Sequence, residues 1–186
     1  MSRIVAGTHG GRRLATPPGQ GTRPTSDRVR EALFSTLEAL TDLSGARFAD
    51  LYAGSGAVGL EAVSRGASEV LLVESDPRAA RTVRDNIAAL GVGAAVRLVT
   101  SRVEQVLAGT ADAPYDVVFA DPPYDLDATG VTVLLTALAG PGWLAPGAVV
   151  AVERASRSGP VEWVAPITAE RVRRYGETTV WYGRRS

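Results

Sequence analysis

Two stretches of this 186-residue chain carry residue types at spacings suited to chemistry. The first is Asp50-Leu-Tyr-Ala-Gly-Ser-Gly-Ala-Val-Gly59, in which Gly54, Gly56 and Gly59 satisfy G-x-G-x-x-G. Between a strand and a helix, glycines so spaced permit a tight turn and bring backbone N–H groups against a ligand. Glu74 follows Gly54 by twenty residues and ends the next apolar run, where a carboxylate accepts hydrogen bonds from both hydroxyls of a ribose. The second stretch is Asp121-Pro122-Pro123-Tyr124. Its two prolines lock the backbone and remove two N–H donors. The Asp121 carboxylate and the Pro122 carbonyl then aim at one point as acceptors, a match for an exocyclic amino group on a planar base. Accepting those hydrogens would hold the nitrogen toward an electrophile and stabilise positive charge on it as it attacks. Tyr124 supplies a face on which the base stacks, a contact worth ~1–3 kcal/mol.

The glycine loop suits two ligand classes, a dinucleotide such as NAD or S-adenosylmethionine. Asp50 favours the second. Four residues before Gly54, its carboxylate would take the ammonium of a methionine moiety directly or through water, whereas it would repel a pyrophosphate. Ala53 and Ser55 complete the loop. Ser101 and Arg102 lie beyond the third core strand, where an adenine would rest. Many enzymes of this kind carry an acidic residue there; this chain carries Ser101, with a backbone N–H as the substitute.

These residues need elements to position them. Strands are predicted over 47–52, 69–74, 96–100, 115–120 and 148–153, alternating with helices over 58–65, 78–90, 101–107 and 128–138. Such alternation, with strands that are nearly continuous apolar runs, predicts an α/β fold: a doubly wound, mostly parallel, seven-stranded sheet. Ligands of such sheets bind beyond the carboxyl ends of the strands. Residues 170–175 and 178–183 flank Gly176 and read as a terminal antiparallel hairpin. At the other end, residues 3–6 and 12–15 read as a small hairpin around Gly7, Gly10 and Gly11. A linker rich in proline and glycine follows, and then a helix capped at Thr25, Ser26 or Asp27, with Val29, Leu33, Phe34, Leu37 and Leu40 on one stripe. The expected division is an N-terminal hairpin and linker over 1–24 and a catalytic domain over 25–186.

Composition narrows the chemistry. With no cysteine, disulfides, thiolate metal sites and thiol nucleophiles are excluded, and a single histidine, His9, leaves no cluster for a metal. No metal is expected. Lysine is absent, so every basic side chain is a planar arginine fork suited to phosphate. Net charge is zero but uneven: +4 over residues 1–31, −7 over 32–152 and +3 over 153–186. The clustering at the N-terminus points to a polyanionic partner. The uncharged run from Val133 to Val152 is broken by Gly140, Pro141, Gly142, Pro146 and Gly147, so it reads as a helix end, a turn and a buried strand. No membrane partner and a cytoplasmic location are the expectation.

Together the DLYAGSGAVGLEA loop, the DPPY turn and the segment RPTSDRVREALFSTL resemble the RsmD family across essentially the whole chain. That resemblance implies a Rossmann-like class I methyltransferase. Its reaction would move a methyl group from S-adenosylmethionine to the exocyclic amine of a guanine in 16S ribosomal RNA, within an assembling small subunit. On this reading Asp121, Pro122, Pro123 and Tyr124 act on the base, while Asp50, Ala53, Gly54, Ser55, Gly56, Glu74, Ser101 and Arg102 hold the cofactor. Arg3, His9, Arg12, Arg13, Arg23, Arg28 and Arg30 would grip RNA, setting position more than sequence choice. A monomer is expected. Alternatives are an amino-methyltransferase of another RNA or DNA base, a nicotinamide-dependent oxidoreductase, and a non-catalytic RNA-binding module.

Overall fold

At the N-terminus, Ser2–Arg3 (β1) and Arg13–Leu14 (β2) pair antiparallel, with Ser2 opposite Leu14 and Arg3 opposite Arg13. This ladder is shorter than the expected runs because Val5 and Ala6 donate their N–H groups to the Glu61 carboxylate instead, at 2.8 and 3.0 Å. The structure is a computed structural model and describes residues 2–18 and 26–186. Arg23 and the expected boundary at residue 24 lie outside the described residues. Chain contacts define two units, one running to Val103 and the other from Glu104 to Ser186.

The first unit continues with helix α1, Asp27–Leu40. Ser26 caps it, its side chain accepting the Val29 N–H. Leu33, Phe34 and Leu37 form the buried face of α1, and Phe34 stacks on Phe48 with ring centroids 5.9 Å apart. Three parallel strands follow: β3 (Arg47–Asp50), β4 (Glu69–Val73) and β5 (Val96–Val99), paired β3 to β4 and β4 to β5. Helix α2 (Ala57–Ser64) connects β3 to β4, and α3 (Pro77–Leu90) connects β4 to β5. Asp76 caps α3 ahead of Pro77 at its first turn, and Gly91 ends it at φ 67°. Both are the residue types that helix ends select.

Helix α4 (Val103–Ala108) leads into the second unit. There β6 (Tyr115–Ala120) runs parallel to β7 (Leu144–Ala155), with α5 (Ala128–Ala139) between them in sequence. The uncharged stretch thus resolves into helix, turn and strand as expected, and among the described residues no helix is long and apolar enough to cross a membrane. β7 begins earlier than expected. Tyr115 pairs with Leu144 and Val117 with Val149, so the shift in register is absorbed at Pro146 and Gly147. Finally β8 (Ile167–Tyr175) and β9 (Thr178–Arg185) form an antiparallel hairpin whose β9 pairs antiparallel with β7. Seven strands, mostly parallel, with an antiparallel C-terminal hairpin, match the expected fold class.

Candidate cofactor loop and base-acceptor turn

The glycine loop is assembled from backbone and carboxylates. Gly54 and Gly56 adopt φ 59° and 84°, the left-handed region that an L side chain resists. A Cβ on Gly54 would meet nothing within 4 Å, so the loop opens to free space there. Gly59 serves differently: a Cβ on it would lie 2.1 Å from Leu72 Cδ2, so its role is close packing of α2 on β4. Asp50 is 1% exposed, and its Oδ2 accepts the Gly59 N–H at 3.2 Å. This fills an amide in the first turn of α2 that a pyrophosphate would otherwise use. Of the two routes expected for Asp50, direct contact with an ammonium is closed at that exposure. Glu74 is half-buried; its Oε1 accepts the Gly54 N–H and its Oε2 the Asp76 N–H, both at 2.8 Å. Each oxygen keeps a lone pair for a hydroxyl donor. Ala53 and Ser55 are buried under the loop, Ser101 is half-buried and Arg102 is exposed.

The donor set fits S-adenosylmethionine. A left-handed glycine facing open space, a carboxylate braced beside it and an amide already taken by Asp50 suit a ribose and a cationic sulfonium chain better than a diphosphate.

The N-terminal hairpin is fastened to the helix that leaves this loop. Glu61 of α2 is fully buried and accepts from Val5 N, Ala6 N, Arg30 Nε and Arg65 Nε. Ser64 Oγ donates to the Ala6 carbonyl and accepts the His9 N–H. A Cβ on Gly7 would collide with the Ser64 carbonyl, which is why glycine stands there. Asn86 of α3 makes the third fastening: it bonds the N–H and the carbonyl of Ala15 and also the carbonyl of Ser55 in the glycine loop, at 2.8, 2.9 and 2.9 Å. Sequence reasoning passed over Glu61, Ser64 and Asn86. The signal was present, since each is polar on an otherwise apolar helix face.

Arg30, an expected RNA contact, is instead part of the fold. Arg30 is 0% exposed, and its guanidinium donates to Glu61, Ser2, Asp27 and the Arg3 carbonyl. It holds the hairpin to α1 and α2 and has no face for a phosphate. Burial works to raise the Asp27 carboxyl, yet the Ser2 hydroxyl and the Arg30 charge hold it below its ordinary value. Arg3, Arg12, Arg13 and Arg28 are exposed, Arg12 also reaching the Ala89 carbonyl at 2.7 Å, and His9 is half-buried.

In the second unit, Asp121 follows directly on β6, and Pro122 behind it is buried. A turn closes from the Leu126 N–H to the Pro123 carbonyl at 2.9 Å. It leaves the Tyr124 ring 82% exposed, the most exposed large hydrophobic among the described residues. Burial pushes the Asp121 carboxyl above its ordinary value, while a hydrogen bond with Glu153 and the charge of Arg154 pull it back. Glu153 and Arg154 are both buried, and neither was among the expected site residues. An acid closing a buried apolar strand, as Glu74 closes another, was the signal for Glu153.

Residues 2–184 match the family described as conserved hypothetical protein 95. The chain is 39% identical over 165 residues to ribosomal RNA small subunit methyltransferase D of Escherichia coli, covering 87% of this chain and 80% of that protein. It is 34% identical over 153 residues to the Haemophilus influenzae protein of the same name, covering 81% and 77%. Among solved structures, Escherichia coli yhhF superposes with a TM-score of 0.83 at 35% identity, covering 98% of this chain and 97% of that one.

Proposed function

We propose a function from a plain premise: the chain belongs to the family of conserved hypothetical protein 95, the RsmD family. It is a methyltransferase that modifies the exocyclic amine of a guanine in small-subunit 16S ribosomal RNA. Its substrate is the RNA within an assembling particle, and the reaction takes place in the cytoplasm. S-adenosylmethionine, when bound, supplies an electrophilic methyl carbon whose bond to sulfur breaks with the electron pair staying on sulfur.

The chain's own residues divide the remaining work. Gly54 and Gly56 cradle the cofactor, Glu74 accepts from the ribose hydroxyls, and Asp50 reaches the methionine ammonium through water while bracing the loop. Ala53 and Ser55 shape the floor, and Ser101 with Arg102 flanks the adenine. The target guanine leaves its stack, because its amine cannot be approached in line inside a helix. Asp121 and the Pro122 carbonyl accept the two amine hydrogens, Pro123 fixes the turn, and Tyr124 stacks on the ring. Positioning two reactants supplies much of the rate. Exposed Arg3, Arg12, Arg13 and Arg28 meet phosphates, with His9 at the hairpin tip.

One observation carries this reading: a partly buried carboxylate at the end of β6, followed by two prolines and then by an aromatic ring left 82% exposed. A hydride-transfer enzyme has no use for that acceptor pair. The test is incubation of purified protein with methyl-labelled S-adenosylmethionine and either free 16S RNA or assembled small subunits, with the product mapped by mass spectrometry. Label on a guanine exocyclic nitrogen is the expected result. Label on adenine, or none with either substrate, would overturn the proposal.

A further inference from the structure

Asp121 has a partner on the neighbouring strand. β6 and β7 run parallel with Ala120 opposite Val152, so the next residues along, Asp121 and Glu153, are in-register neighbours. Such neighbours project from the same face of a sheet, about 5 Å apart. Their side chains hydrogen-bond. Two carboxyl groups can do so only when one of them is protonated, because an ionised carboxylate accepts and never donates. A carboxyl pair bonded in this way shares one proton and one negative charge. Glu153 is 8% exposed and Arg154 is 9% exposed, and among the described residues Arg154 is the cation whose charge bears on Asp121. The strand does not need an acid here for packing. Val149, Val150, Ala151 and Val152 before it are fully buried and apolar, and a buried carboxyl costs stability unless it is bonded.

We propose that Glu153 is a positioning residue that donates to Asp121, keeping it an oriented, ionised acceptor, and that the pair receives the proton shed by the amine. The inference rests on the methyl-transfer reading above. The amine nitrogen uses its lone pair to form the new N–C bond and then carries one proton too many. That proton passes to an Asp121 oxygen, the pair goes from one proton to two, and one is then lost to water. The proton on Glu153 is not consumed; it directs which Asp121 oxygen faces the amine.

Glu153→Ala and Glu153→Gln separate this from a packing role. Glutamine retains a donor toward Asp121, whereas alanine removes it. Single-turnover rates against pH are measured with S-adenosylmethionine and whichever 16S substrate the wild type methylates, alongside calorimetric cofactor affinity. Glu153 and Arg154, both on β7, are the charged groups that bear on Asp121. Loss of the Glu153 bond therefore leaves the Asp121 carboxyl higher, and the acid limb of the E153A profile moves to higher pH. Its rate at neutral pH falls by about 10- to 100-fold, the worth of one hydrogen bond to a charged group. In E153Q the limb returns to the wild-type position or below, and most of the rate returns. Cofactor affinity is the same in all three. An unmoved limb in E153A, or equal impairment of both variants, overturns the proposal. If E153A does not fold, E153Q decides alone, since a limb above that of the wild type refutes donation to Asp121. A wild type that methylates no guanine would sink the functional reading instead. The carboxyl pair is then still read without turnover, by 13C titration of the Asp121 carboxyl in wild type and E153Q.

Discussion

Replacing Arg30 by methionine tests whether the arginine-rich N-terminus is wholly a phosphate grip or partly a fastening of the fold. Methionine keeps much of the buried stem and removes the charge. The lost contacts are those to Glu61 Oε1 at 3.2 Å, Ser2 Oγ at 3.1 Å and Asp27 Oδ1 at 3.0 Å, together with the Arg3 carbonyl. Removing one member of a buried ion pair costs about 3–5 kcal/mol, chiefly because the other charge is left uncompensated. Glu61 keeps Val5 N, Ala6 N and Arg65 Nε, so the lower end, about 3 kcal/mol, is expected. For a chain of this size each kcal/mol is about 2–4 °C, giving a fall of about 6–12 °C in the melting midpoint. Melting is followed by circular dichroism, and RNA affinity of the folded variant by filter binding across a salt series. The slope of affinity against salt stays at the wild-type value, because no phosphate contact is lost. Arg28→Ala, at an exposed neighbour, does the reverse: its midpoint barely moves and its salt slope drops by about one. An R30M protein that melts with the wild type and binds RNA with a reduced slope would refute the assignment of Arg30 to the fold.

Asp121→Asn should leave calorimetric cofactor affinity within about twofold yet lower the transfer rate by about 100-fold or more, the scale of an electrostatic stabiliser removed from a reacting group; full activity would remove Asp121 from the mechanism. The pH profile has a defined sign. Burial raises the Asp121 carboxyl above its ordinary 3.8, and the carboxylate is the accepting form, so transfer is lost as pH falls through a value above 3.8 and is retained on the alkaline side. An acid limb at or below the ordinary value contradicts this. Gly59→Ala should destabilise by about 1–3 kcal/mol through its clash with Leu72, read as a lowered melting midpoint. Gly54→Ala, with open space at Cβ but φ 59°, should cost the fold only about 1–2 kcal/mol while weakening cofactor binding by at least tenfold. Equal cofactor affinity in G54A and wild type would count against the loop as the cofactor cradle.

The elements were legible wherever local rules agree with burial. Alternating apolar strands and capped helices located β3 to β7 and α1 to α5, with boundaries off by a few residues where backbone groups leave the ladder for a side chain, as Val5 and Ala6 do for Glu61. The glycine spacing identified the loop but not its division of labour, with Gly54 open and Gly59 packed. Less legible was which of the polar side chains on those apolar faces find partners inside. Arg30 and Arg28 are two residues apart in one helix, and only the helical turn decides that one is buried and the other exposed. The same holds for Glu153, whose significance depends on a register that only paired strands reveal.

The buried polar groups of the first unit also explain why the hairpin cannot be treated as a detachable arm. Glu61, Ser64 and Asn86 each spend hydrogen-bonding capacity on residues 5–15, and a buried group stripped of its partner costs about 1–3 kcal/mol, more when charged. Truncating the N-terminus would therefore leave a buried carboxylate on the helix that Gly56 precedes and free the Asn86 amide that also holds the Ser55 carbonyl. Such a truncation would change the cofactor loop along with any RNA contact, and loss of RNA binding in it would assign nothing. Point changes at Arg3, Arg13 and Arg28 are the informative perturbation, because these side chains are exposed and carry none of the fastenings. If their combined replacement by alanine leaves the salt slope of RNA binding unchanged with the melting midpoint intact, the N-terminal positive charge is not the RNA grip, whatever the truncation does.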